Sequence, residues 1–154
     1  MKQSLALLLA LMMYSSLFAQ SPTQVQDKEN LFTSQEVQRI DSLLQAYRKK
    51  SGNLVVIYTD TADISAEGFA TSVQMQYGSP ATDSFYSFIL LMSRKNSLLF
   101  ASVNKYTLPY VNEDLLLGLL ESGFESLKQK RTAEGVTQIC MKAIEFLEQL
   151  PKKQ

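Results

Sequence analysis

Apolar and polar residues change their spacing several times along the chain, and each change marks an element. Between Phe85 and Val103, two short apolar runs, Phe88–Met92 and Leu98–Ala101, flank the polar stretch Ser93-Arg94-Lys95-Asn96-Ser97. Runs this short cannot pack as helices, so they predict a β-hairpin. Neither run alternates with polar residues, the pattern of strands covered on both faces, so helices are expected above and below. Leu54–Thr59, rich in β-branched residues, predicts a further buried strand.

Elsewhere the spacing is helical. Val37, Ile40, Leu43, Leu44 and Tyr47 follow Thr33 and Glu36, which have the spacing of a capping box, with Phe32 and Val37 as a hydrophobic staple. Lys49, Lys50 and Gly52 supply the cations and the left-handed residue that end such a helix. A second helix is expected from Asp63 to Tyr77, stopped by Gly78-Ser79-Pro80. A third starts at the cap Asn112 and buries Leu115, Leu116, Leu119, Leu120, Phe124 and Leu127. A fourth opens at Thr132 with the stripe Val136, Ile139, Cys140, Ala143, Ile144, Leu147. The order helix, strand, helix, strand, strand, helix, helix predicts an α/β three-layer sandwich. Its small mixed β-sheet, a parallel crossover plus an antiparallel hairpin, is flanked by about four helices.

The first residues fall outside this pattern. Lys2, the apolar run Leu5–Met13 and the small residue Ala19 read as a signal peptide over residues 1–19, the run being shorter than the ~20 residues of a membrane span. The mature protein is then expected in the periplasm or beyond, with no transmembrane segment. Residues 20–30 are polar and aperiodic and read as a flexible leader, 31–150 as one domain, and 151–154 as a tail.

Charge and composition narrow the chemistry. Formal charge is zero, and one acid is in excess once Lys2 is removed, so nothing draws nucleic acid to the molecule. The single cysteine, Cys140, lies on an apolar helical stripe and is expected to be a buried thiol rather than a nucleophile. Histidine is absent, which excludes Ser-His-Asp and Cys-His catalysis and imidazole metal sites. Asp60 and Asp63 form a possible acid pair, with Asp63 better explained as a helix cap.

The predicted topology brings other residues to one sheet edge. Asp83 precedes the second strand, while Glu113 and Asp114 follow the third, which runs antiparallel to it. These carboxylates with loop carbonyls could hold Ca²⁺ or Mg²⁺, or act separately as a solvated acid and two helix-dipole partners. Phe85 and Tyr86 enter the second strand, and Tyr106 and Tyr110 lie on the loop leaving the third, so the same edge could carry an aromatic patch.

From about Leu31 to Leu150 the pattern resembles the TPM domain, a family that includes thylakoid-lumen phosphatase-like proteins and many exported bacterial proteins. Asn30–Glu36 occupies the place of its "D…G.LS..E" opening, Leu54–Thr59 its "I.VVTV" strand, and Phe69-Ala70 with Tyr77-Gly78 its following helix. Ser87–Met92 corresponds to its "GVLLLV" strand and Arg94-Lys95 to the arginine-containing turn. The family's "D-[DN]-G" falls on Phe85-Tyr86-Ser87, and its "V-G-x-G-x-E" loop on Val103–Leu108. The resemblance implies that these loops bind divalent metal in relatives, and that Asp83 nearby and Glu113 are the acids retained. It further implies phosphatase activity or an accessory role in membrane complexes. The expectation is therefore an exported, non-catalytic module without a cofactor, binding an envelope or membrane protein through Phe85, Tyr86, Tyr106 and Tyr110. The alternative is a weak phosphatase holding Ca²⁺ or Mg²⁺ on Asp83, Glu113 and Asp114.

Overall fold

The computed structural model describes residues 23–61 and 85–152. The expected signal peptide, Asp83 and the helix expected over Asp63–Tyr77 lie outside the described residues. Four strands, β1 (Val25–Asp27), β2 (Leu54–Thr59), β3 (Ser87–Ser93) and β4 (Leu98–Val103), form one sheet in the order β1-β2-β3-β4. β1 pairs parallel to β2 and β2 parallel to β3, while β4 runs antiparallel to β3 with Leu90 opposite Ala101. The mixed α/β sheet and its hairpin are thus as the apolar runs predict.

β1 corrects the reading of residues 20–30 as a plain flexible leader, and adds a fourth strand to the three expected. Three residues are too few to show a period, and their fixing is long-range. The buried Gln24 side chain donates to the Val55 carbonyl at 2.6 Å, and its backbone N–H donates to the Asp41 carboxylate at 2.6 Å. The Ile57 amide donates to the Gln24 carbonyl at 2.8 Å.

Helix α1 (Ser34–Ser51) begins as predicted: Thr33 and Glu36 form a reciprocal capping box, and Gly52 ends it at φ +75°. Near the chain end, α4 (Thr132–Gln149) buries every residue of the predicted stripe. The third expected helix is broken in two, α2 (Glu113–Glu121) and α3 (Phe124–Lys128). The break has a steric cause. A Cβ on Gly123 would lie 2.3 Å from the Gly135 carbonyl oxygen, and one on Gly135 would lie 2.7 Å from Leu127 Cγ. The backbones of α3 and α4 therefore meet at two glycines, an approach that no larger residue permits.

Successive strand residues point to opposite faces, so the continuous apolar runs divide into two buried sets. Val25, Val55, Ile57, Phe88, Leu90 and Ala101 pack with Ile40, Leu44 and Tyr47 of α1, Leu119 and Leu120 of α2, and the α4 stripe. Leu54, Val56, Tyr58, Ile89 and Leu91 form a second buried cluster on the other face, with Phe85 and Phe100 against it. Cys140 is fully buried on the first face, and that burial pushes its thiol up to about 12.

Candidate functional site

The two ends of the sheet are built from different chemistry. At the carboxyl ends of the parallel strands, carboxylates hold the chain together. Asp27 accepts from the backbone amides of Leu31 (3.0 Å) and Phe32 (2.9 Å) and from the Thr59 hydroxyl (2.5 Å). Leaving β1, the chain is thereby turned into α1. Glu29 reaches across to the hairpin turn, accepting from the Ser93 hydroxyl and the Arg94 amide, each at 2.8 Å. Asp60 accepts from the Tyr58 hydroxyl at 3.2 Å and pairs with Lys28 at 3.2 Å. The Tyr58 hydroxyl and then Asp60 raise the Lys28 ammonium above its ordinary value.

At the opposite end the loop after β4 is closed by neutral groups. Asn104 Oδ1 accepts from the Thr107 amide (3.0 Å) and hydroxyl (2.8 Å), while its side-chain amide donates to the Phe85 carbonyl at 2.8 Å. Thr107, fully buried, accepts from the Ser87 amide at 2.9 Å, and the Ser87 hydroxyl accepts from the Asn104 amide at 3.2 Å. This ring ties the start of β3 to the end of β4. It also fixes the base of the 3₁₀ turn Leu108–Tyr110, whose Leu108 is 61 % and Tyr110 43 % exposed. An Asn followed three residues later by a Thr is the sequence trace of such a turn, and Asp27 ahead of Leu31-Phe32-Thr33 is that of the other.

Of the aromatic residues expected at this edge, the structure brings two together. The Tyr86 and Tyr110 rings meet edge to face, with centroids 5.8 Å apart and planes at 88°. Tyr86 is buried, and its hydroxyl donates to the Pro151 carbonyl at 2.9 Å, so residue 151 closes onto the domain. Burial, and then the Tyr110 hydroxyl, push the Tyr86 phenol upward. Phe85 packs on the opposite sheet face, and Tyr106 leans on the first-face core with the Lys105 ammonium 4.9 Å above its ring. Phe85 is therefore parted from Tyr86, because adjacent residues of an extended chain cannot share a face, while Tyr86, Tyr106 and Tyr110 lie on the first-face side.

Of the expected metal ligands, Glu113 and Asp114 lie among the described residues and Asp83 does not. Glu113 and Asp114 stand exposed in the first turn of α2, whose cap Asn112 accepts from the Leu115 amide at 2.8 Å. Among the described residues no three acidic or sulfur side chains group as a metal site, and the Asn104 oxygen is taken by Thr107. Among these residues, too, no helix is long and apolar enough to cross a membrane.

Several solved structures share the fold. The BA42 protein of the psychrophilic bacterium Bizionia argentinensis superposes with a TM-score of 0.65 at 16 % identity, covering 83 % of this chain and 90 % of that one. The N-terminal domain of a P. gingivalis protein gives 0.65 at 17 %, over 84 % and 85 % of the two chains. That of the cg2496 protein of Corynebacterium glutamicum gives 0.61 at 9 %, over 88 % and 87 %. No curated protein sequence matches this one. The sequence itself matches the TPM domain over residues 25–146, a span that opens at β1 and ends within α4. With all four strands and the hairpin inside that span, this chain belongs to the TPM domain family.

Proposed function

We propose that this TPM domain is an exported, non-catalytic module of the cell envelope that binds an envelope or membrane protein through the turn Leu108–Tyr110. The observation that carries the reading is the closed ring of Asn104, Thr107 and Ser87, which holds an exposed leucine and tyrosine on a preformed support. Rigid aromatic and apolar groups bind protein at low entropic cost, and tyrosine is enriched among residues that dominate interfaces. Tyr86 backs Tyr110, so the exposed ring is oriented before a partner arrives. Export is supported by Lys2, the Leu5–Met13 run and Ala19.

The test is a photo-crosslinking residue at Tyr110 in protein expressed with its own N-terminus. One envelope protein should be captured, capture should fall at least tenfold in Leu108→Asp, and the melting temperature of that variant should stay unchanged. N-terminal sequencing should begin at Gln20. Hydrolysis of p-nitrophenyl phosphate that requires Ca²⁺ or Mg²⁺ and is lost in Glu113→Gln would replace this reading by the phosphatase one.

A further inference from the structure

A cleft of about 670 Å³ lies at the other end of the sheet, where β3 turns into β4 and α3 into α4. Its walls include Leu31, Met92, Leu98, Leu99 and Leu127, apolar side chains from four separate segments. Its rim carries Arg94 and Lys130, with the hydroxyl residues Ser97 and Thr132. We infer that this cleft binds an aliphatic monocarboxylate, its alkyl chain against the leucines and Met92 and its carboxylate between Arg94 and Lys130.

Charge complementarity points to an anion. Among the described residues neither Arg94 nor Lys130 has a carboxylate partner; the guanidinium of Arg94 reaches only the Thr132 hydroxyl, at 3.5 Å. The acids beside the rim are already engaged. Glu29 accepts from the Ser93 hydroxyl and the Arg94 and Lys95 amides, and Glu134 pairs with Arg131. Thr132 is also the first residue of α4, an eighteen-residue helix with no side-chain cap, so its positive end adds to the two cations.

The walls decide which anion. A carboxylate on a short polar body would leave five apolar side chains facing water, whereas an alkyl chain covers them, and unbranched Met92 adapts to its shape. The rim's shape is set by backbone rather than by side-chain chance. Ser97 and Lys130 hold left-handed conformations at φ +50° and +60°, and Asn30, next to Leu31, holds one at +54°. For serine and lysine this is uncommon and is maintained only by surrounding contacts.

The experiment is methyl-detected NMR titration of the purified protein with octanoate, octan-1-ol, acetate and inorganic phosphate. Octanoate should shift the methyl signals of Leu31, Leu99 and Leu127 saturably, and each of the other three should bind at least tenfold more weakly. Lys130→Asn removes the charge but keeps a residue at ease in the left-handed region, so it should weaken octanoate about tenfold without moving the melting temperature. Should Lys130→Asn lower the melting temperature, Arg94→Gln is read in its place with the same expectation. Raising the salt should weaken octanoate but not octan-1-ol. Equal binding of octan-1-ol, equal binding of phosphate, or shifts that do not saturate or centre on Leu108 would overturn the assignment.

Discussion

The two ends of the sheet solve the same problem with different groups. Where β1, β2 and β3 finish, Asp27, Glu29 and Asp60 tie loops to strands through charged acceptors on amides and hydroxyls. Where β3 starts and β4 finishes, Asn104, Thr107 and Ser87 do so without charge. Charge-assisted bonds are the stronger kind, so the first end is expected to be the firmer against mutation. The neutral end exposes Leu108 and Tyr110 on its turn. The contrast teaches that one end is held by carboxylates beside a cleft, while the other carries an exposed apolar turn. α4 joins them, running from Thr132 beside the cleft to Gln149, two residues before the Pro151 carbonyl that receives Tyr86.

Variants break or sharpen that contrast. The largest effect is expected at the centre, which serves both ends: Leu90→Ala, fully buried opposite Ala101, should lose roughly 2 to 5 kcal/mol in denaturant unfolding. Hydrogen exchange should then rise equally at the two ends.

Alkaline titration of the shared helix comes next. The folded thiol of Cys140 is raised from 9.0 to about 12, so its contribution is fully present below about pH 9 and is lost as pH rises towards 12. The loss is at most about 4 kcal/mol, at 1.36 kcal/mol per pH unit. Cys140→Ala should flatten that part of the stability curve, and native protein should be unreactive to thiol reagents at pH 8.

The ends themselves follow. Asp27→Ala strands the Leu31 and Phe32 amides and should cost roughly 2 to 3 kcal/mol, whereas Asn104→Ala should cost roughly 1 to 2 kcal/mol. Asn104→Ala should also speed amide exchange at Thr107 and Leu108 while leaving Leu31 and Phe32 slow. A reversed order would refute the view that the carboxylate end is the firmer. Smallest is Lys95→Ala in the exposed hairpin turn, expected to change stability by no more than about 0.5 kcal/mol.

Local patterns along the chain were enough to determine the hairpin, the capping box that starts α1, the buried stripe of α4 and the burial of Cys140. Each of these depends on residues a few positions apart, and so each leaves a period or a cap that can be read. Tertiary structure alone decided the rest. β1 is a strand because Asp41, Val55 and Ile57, all distant in sequence, hold Gln24 and Val25 in place. The helix after Asn112 breaks because Gly123 meets Gly135 across a helix crossing. Phe85 and Tyr86 part to opposite faces through the pleat, and Arg94 and Lys130, far apart in the chain, meet at one cleft only after α3 and α4 have packed against the hairpin. Such arrangements depend on backbone approach and on which faces are buried, and neither is encoded in the spacing of residues within a single element.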